Sequence, residues 1–370
     1  MVGCYVHVPF CARRCGYCDF NTAVLGASPI KPDHWLAALR AEIDLTAQSR
    51  VVAPLATVFF GGGTPTLIGD ALLTPAMQAI ERTFGLEPNA EVTIEANPET
   101  ITEPLLDALL AAGFNRLSLG MQSADESVLT TLDRAHTPGQ VVRSVEAAKR
   151  AGFAEVSLDL IYGTPGETME SWTASVQAAL AMAPTHISCY ALILEPATPL
   201  AKKIAAGQVP PTDDDLMADE YLAADDLLTA AGLRWYELSN WARVGSECRH
   251  NLGYWLSDDW LGLGPGAHAH IGRVRSWNHR ATTRWAAALE RGELPIAGSE
   301  LIDDFAAHEE ALLLELRLAR GLRVADLSPT EVLRVPAFIG DALLDLSGDR
   351  IVLTRRGRLL ADKVVRDLLD

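Results

Sequence analysis

Long apolar runs are missing from this chain. No stretch of about 18 or more apolar residues occurs, so no membrane-spanning helix and no integral membrane anchor are expected. Basic charge is scarce as well. With 31 Lys and Arg against 48 Asp and Glu, the net charge of −17 repels a phosphate backbone and an anionic membrane surface alike. Nucleic acid is therefore not an expected partner. The opening MVGCYVHVPF has no charged stretch ahead of an apolar run, so no secretory leader is expected. Cysteines number six in 370 residues, too few for a secreted disulfide framework, and three of them crowd into positions 11–18. The expected compartment is a reducing one, the cytoplasm. Solenoid repeats and low-complexity linkers are also lacking.

What is present is an alternation of short β-rich segments with longer helical patterns. Strands are expected at 4–10, 57–62, 91–97, 116–122, 155–163 and 186–193. Helices are expected at 33–49, 70–84, 102–112, 138–151, 168–182 and 213–231, several ending in glycine, as at Gly113 and Gly152. Successive βα units imply an α/β protein with a parallel sheet, either doubly wound or a partial TIM-type barrel. The unusual polar and glycine residues fall at the C-terminal ends of several strands: Gly61–Gly63, Glu95 with Asn97, Gln122 and Asp159. A barrel draws its site from many strand ends, whereas a doubly wound sheet concentrates it at one switch point. The expected fold is thus a partial (β/α)6 barrel.

Residues 1–232 are expected to form this barrel. Six of the eight tryptophans lie in 233–285, where periodicity fades, and 233–302 is expected to extend the barrel and bridge its open side. From Asp303 a small module follows: a helix at 305–319, helical segments near 323–346, a short strand, a turn at Arg356–Gly357 and a closing helix. Its order resembles a winged helix.

The strongest chemical signal is Cys11-x3-Cys15-x2-Cys18, just beyond the first strand. Three thiolates on one loop can ligate three irons of a [4Fe–4S] cluster and leave the fourth open. A structural zinc site is the alternative, but it closes with four N or S ligands, and only Cys4, His7 or a distant residue could complete it. Cys4 and Cys189 sit within strands and read as buried small hydrophobes, and Cys248 remains open.

This cysteine spacing resembles the radical SAM superfamily. In that family the open iron binds S-adenosylmethionine, and reduction of the cluster cleaves the sulfonium to a 5′-deoxyadenosyl radical. The context YVHVPFCARRCGYCDF is similar to the branch holding oxygen-independent coproporphyrinogen III oxidase and the HemW-type haem chaperones. The resemblance implies cofactor contacts from Gly62, Gly63 and Thr64 in FFGGGTPTL, from Glu95 in IEANPE and from Gln122 in SLGMQS. It implies the same for Arg134 in LDRAH, Asp159 in SLDLIYGTPGE, and Tyr5 and Tyr17 beside the cysteines. The oxidases extend the motif to a fourth cysteine two residues further on; here that position is Phe20. The chaperones carry H-N-x-x-Y-W, matched by His250, Asn251, Tyr254 and Trp255, and associated there with haem binding. Imidazole is a good axial ligand, and His268 and His270 are rival candidates. The resemblance therefore implies a haem chaperone with a [4Fe–4S] cluster and S-adenosylmethionine site. Its partners would be haem and apo-haemoproteins, respiratory enzymes among them. The alternative is an enzyme that decarboxylates coproporphyrinogen III.

Overall fold

Alternation along each strand sets the two surfaces of the sheet. In a computed structural model describing residues 1–369, the expected strands are β1 (Val2–Val8), β2 (Leu55–Gly62), β3 (Leu86–Ala96), β4 (Arg116–Gln122), β5 (Glu155–Tyr162) and β6 (His186–Ala191). They pair in parallel in that order. One face carries Cys4, Val6 and Val8 of β1, Leu117 and Leu119 of β4, and Val156 and Leu158 of β5, all buried in one core. The other face carries Tyr5, Phe59, Thr93, Glu95, Ser118 and Asp159, which line an internal cavity. The apolar face meets the covering helices, whereas the inner face departs from the packed apolar interior of a full barrel and leaves a cavity lined with polar groups.

The covering helices are α1 (Pro32–Ser49), α2 (Asp70–Phe84), α3 (Glu103–Ala111), α4 (Pro138–Ala151), α5 (Met169–Ala181) and α6 (Asp214–Ala230). Their ends obey local chemistry. A Thr137–Gln140 capping box opens α4, and Gly152 at φ 110° closes it in the left-handed conformation that glycine adopts without strain. Each helix buries one stripe, as Trp35, Leu39 and Ile43 do on α1.

The segment after α6 is divided between both edges of the sheet. Strand β7 (Arg234–Glu237) pairs antiparallel with β8 (Asn240–Ala242), which in turn adds antiparallel to β6. At the opposite edge β9 (Asp259–Leu263) pairs parallel to β1, followed by antiparallel β10 (His268–Ile271), β11 (Val274–Asn278) and β12 (Ile296–Leu301). The open 12-stranded sheet runs β12-β11-β10-β9-β1-β2-β3-β4-β5-β6-β8-β7. Residue 232 is therefore not a boundary of packing. Leu233, Trp241, Leu261, Trp285 and Leu289 belong to the same core as β1–β6, because β9 continues the sheet from β1. Between the two edge groups, the Arg249–Trp255 helix passes beneath the barrel, where Glu91 of β3 accepts from the amides of Arg249 and His250.

The C-terminal module has its own core, including Leu312, Phe338, Leu344, Ile351 and Val365. It holds a three-stranded antiparallel sheet and the helices Asp304–Glu315, Pro329–Gly340 and Ala361–Leu369. Arg356 and Gly357 lie within a short helix, Arg355–Leu359, rather than at the expected turn, because the Thr354 hydroxyl caps that helix at the Gly357 amide. Arg355 and Arg358 tie the module to Asp225 of α6 at 3.2 and 3.1 Å, and Arg358 lies 3.6 Å over the Trp235 ring. Among the described residues, no helix is long and apolar enough to cross a membrane.

Candidate functional site

The cysteine loop leaves the C-terminal end of β1 and is stitched to the barrel rim. Phe10–Cys11 pairs with Ala23–Val24, which closes the loop upon itself. The Gly16 amide donates to the Leu132 carbonyl at 3.2 Å, and the Leu200 amide donates to the Gly16 carbonyl at 2.8 Å. Tyr17 packs into a small apolar cluster with Val128, Leu132 and Leu192 beneath the loop. A Cβ on Gly16 would lie 2.6 Å from the Asp133 carboxylate, which would have to swing aside. Cys11, Cys15 and Cys18 are free thiols. Burial raises the Cys11 thiol and pushes that of Cys18 up to about 11.

Arg134 converts this loop into a charged site. Its Nη1 donates to the Cys15 sulfur at 3.3 Å, while Nη2 donates to Asn97 Oδ1 at 2.6 Å and to the Gly120 carbonyl at 3.1 Å. Gly120 makes this convergence possible: a Cβ there would lie 2.8 Å from the Gln122 amide and 3.1 Å from Arg134 Nη2. Gln122 itself has φ 64°, a left-handed backbone for a non-glycine residue, beside a shift in the β4–β5 register. Such strain persists only where the surroundings enforce it, and it gathers at binding sites.

The glycine run at the end of β2 forms the floor beneath the loop. Gly63 and Thr64 donate their amides to the Val8 and Phe10 carbonyls at 2.8 and 2.7 Å. A Cβ on Gly63 would stand 2.4 Å from the Phe10 carbonyl oxygen, and one on Gly62 (φ 110°) 2.5 Å from the His7 ring. The Gly62 amide donates to Glu95 at 3.0 Å, and Asn97 donates to the Thr64 hydroxyl at 3.0 Å. Burial, aided by the Asp159 charge, pushes the Glu95 carboxyl up to about 7, against the Gly62 hydrogen bond. Asp159 accepts from Ser118 and Ser188, each at 2.8 Å. Tyr5 shares a 3.0 Å hydrogen bond with His7, whose other ring nitrogen meets the Asn21 carbonyl at 2.9 Å.

These residues line one cavity of about 630 Å³ that descends from the cysteine loop to the foot of the barrel. His250, Asn251 and Tyr254 line its lower end, whereas Trp255 lies outside the lining with its indole N–H buried and unpartnered. His250 is buried and has both ring nitrogens engaged, by the Thr57 hydroxyl at 2.7 Å and the Tyr254 hydroxyl at 2.8 Å. Phe59 stacks on its ring, and burial lowers its pKa to about 3, so the imidazole is neutral. Asn251 donates to Glu237 at 3.2 Å. His268 is exposed and stacked on Trp277, and His270 approaches the Asp258 carbonyl at 3.2 Å; neither lines the cavity.

Sequence reasoning missed a charged layer at the foot. Arg116, 2% exposed, donates to the Ser246 carbonyl and lies 3.7 and 3.8 Å from Glu91 and Glu155. Cys248 joins it through a 3.6 Å contact with Glu91. In the one-dimensional pattern these positions look like ordinary strand beginnings.

The donor set fits an iron–sulfur cubane. Three free thiols line one cavity, and a cation touches one of them. A closed zinc centre needs four donors around one ion. Among the described residues, no group of three or more His, Cys, Asp or Glu side chains is arranged around a single ion.

Comparison with known proteins follows the same lines. Residues 5–179 match the model of the radical SAM superfamily. The chain is 49% identical to the haem chaperone HemW of Mycobacterium tuberculosis, over 99% of this chain and 94% of that protein. It is 32% identical to HemW of Bacillus subtilis, over 98% of each. The solved structure of coproporphyrinogen III oxidase (HemN) from Escherichia coli superposes with a TM-score of 0.86 and 24% identity, covering 99% of this chain and 89% of that one. That likeness establishes a shared fold.

Proposed function

The chain belongs to the HemW family of radical SAM proteins, and from that premise we propose that it is a haem chaperone, binding haem and passing it to apo-haemoproteins. In this reading Cys11, Cys15 and Cys18 hold a [4Fe–4S] cluster, which supplies a one-electron couple to S-adenosylmethionine bound beside it. The chain's own residues have distinct tasks. Arg134 balances thiolate charge at Cys15 and fixes Asn97. Gly62 and Gly63 allow backbone approach to the nucleotide, with Thr64 at their end held by Asn97. Glu95, Gln122 and Asp159 offer polar groups to its amino and ribose ends, and Tyr5 and Tyr17 form the walls.

One observation carries the choice of chaperone over oxidase. Phe20, 61% exposed at the cavity mouth, stands where the oxidases have their fourth cysteine. A phenyl ring supplies neither a thiolate nor a proton-transfer group; it supplies an apolar face. The test is direct. Anaerobically reconstituted protein is given coproporphyrinogen III, S-adenosylmethionine and a reductant, and protoporphyrinogen is measured. The reading expects none above background, and sustained turnover would overturn it.

His250 is the imidazole that the H-N-x-x-Y-W segment offers to haem iron. Its neutral ring is chemically suited to ligation. In this fold, however, iron could reach it only after the hydroxyl of Tyr254 or Thr57 had withdrawn.

A further inference from the structure

The short helix Glu126–Thr131 ends in a motif that glycine usually completes. The Asp133 amide donates to the Thr130 carbonyl at 3.1 Å, and the Arg134 amide reaches back to the Leu129 carbonyl at 2.9 Å. The residue in the left-handed position, with φ 57°, is Asp133. Glycine adopts that backbone freely, whereas an aspartate adopts it under strain. Such strain persists where the surroundings hold the residue, and this side chain is held.

Both carboxylate oxygens of Asp133 are engaged. Oδ1 accepts from Arg13 of the cysteine loop at 3.0 Å, and Oδ2 accepts from Lys203 at 3.1 Å. Lys203 belongs to the helix Pro199–Ala205, whose Leu200 amide donates to the Gly16 carbonyl at 2.8 Å. The Gly16 amide in turn donates to the carbonyl of Leu132, the residue before Asp133. Gly16, between Cys15 and Cys18, is thus gripped by two elements, and Asp133 ties the loop and the helix together with one ion pair each. The next residue, Arg134, lines the cavity and touches the Cys15 sulfur. Two consecutive residues hold the loop, one at the surface and one from within.

The outer contacts are of a particular kind. The side chains of Asp133, Lys203 and Arg13 are 24%, 40% and 57% exposed. Ion pairs this open add little to global stability, and salt screens them. Their effect is local: they keep the loop closed over the cysteines. We propose that Asp133 is a salt-sensitive clasp on the cysteine loop, setting how fast a cluster on Cys11, Cys15 and Cys18 is lost without stabilising the fold as a whole. The proposal rests on the cluster reading above and adds to it a residue that touches no thiolate.

The test follows the visible absorbance of anaerobically reconstituted, full-length protein after dilution into EDTA. It is run at about 0.1 M and about 1 M NaCl, between which the screening length falls from about 10 Å to about 3 Å. The unaltered protein is expected to lose its cluster about three- to tenfold faster at the higher salt, the range that two exposed pairs support. Asp133→Gly and Asp133→Asn, both suited to the left-handed backbone, should lose it at that faster rate at either salt. Lys203→Gln should move the unaltered protein part of the way and change Asp133→Asn no further. The urea midpoint of the full-length chain should hold in Asp133→Asn and rise in Asp133→Gly, where the strain is relieved. Release from both Asp133 variants at the unaltered rate, or with the full salt dependence, overturns the proposal. A fall in both midpoints overturns it as well, since the loop would then loosen only with the fold. An unaltered protein that takes up no iron and sulfide is a different result, and it overturns the cluster reading itself.

Discussion

Arg134 joins the cysteine loop to the barrel by a single guanidinium, which donates to the Cys15 sulfur at 3.3 Å and to Asn97 Oδ1 at 2.6 Å. Cys15 lies on the loop and Asn97 just past the end of β3, so one side chain spans both elements. A fixed cation beside a thiolate is an outer partner of the metal ligand, and losing such a partner costs about 10–100-fold in metal affinity. Arg134→Ala is accordingly expected to lose iron and sulfide about tenfold faster on dilution into chelator. Arg134→Lys, which keeps the charge but not the fork, should recover only part of the difference.

Gly63 is required for space rather than for an unusual backbone. A Cβ there would meet the Phe10 carbonyl oxygen at 2.4 Å and the Val8 carbonyl oxygen at 2.9 Å. Gly63→Ala should cost about 1–3 kcal/mol in denaturant unfolding, as overpacking commonly does. It should also loosen the cluster, because the displaced backbone carries Cys11. Gly139→Ala serves as the control. It lies in the first turn of α4, its nearest neighbour would be 3.5 Å away, and it should not destabilise.

Two buried carboxylates hold adjacent amides of the loop after β5. Glu220 accepts from Gly163 at 2.9 Å and Glu167 from Thr164 at 3.3 Å, while the second oxygen of each is buried without a partner. Burial, with the Glu220 charge beside it, pushes Glu167 up to about 8. A carboxyl whose folded pKa is raised favours folding while it stays protonated. That advantage is complete below the ordinary value near 4.5 and is lost as pH rises towards 8. Glu167→Gln does not titrate. Its thermal stability relative to the unaltered protein should therefore climb between about pH 5 and 8 and level off above, by at most about 1.4 kcal/mol per pH unit. A difference that shrinks over that range would contradict the assignment.

Glu42 plays a structural part that its sequence position on α1 did not announce. It accepts from the Gly264 amide at 2.8 Å, from Asn278 at 2.5 Å and from the Trp285 indole at 2.9 Å. Glu42→Ala would orphan three buried donors, each costing about 1–3 kcal/mol to leave unpaired. We expect a loss of at least about 3 kcal/mol by urea unfolding, and amide exchange should quicken first in residues 259–301. Glu42→Gln should lose clearly less.

The contrast between Glu42 and Glu95 shows what was legible in the amino-acid order. Glu95 stands out because it interrupts the apolar end of a strand, and strand ends are where barrels gather ligands. The order and type of the six βα units were legible for a similar reason, since β-branched alternation and helical stripes are local signals. Cys11, Cys15 and Cys18 stood out by their spacing. Glu42 gave no such sign, because a glutamate on an amphipathic helix ordinarily faces water. Its burial follows from β9 returning beside β1, a pairing between residues more than 250 apart. Arg116, Glu91 and Glu155 were hidden likewise, since only the sheet register brings the middle of β3 beside the beginnings of β4 and β5. His250 was legible as a motif member. Its two hydroxyl partners were not, for Thr57 is contributed by a distant strand.

The central claim is that this chain carries haem and gives it up. The most direct measurement mixes the cluster-loaded protein, charged with one equivalent of haemin, with an apo-haemoprotein whose holo form has a distinct spectrum. The two are then separated and haem is assayed in each. The account predicts that the acceptor gains haem in proportion to what this chain loses, faster than from an equal amount of haemin bound to serum albumin. A chain that takes up no haemin, or that retains it while the acceptor stays empty, would contradict it.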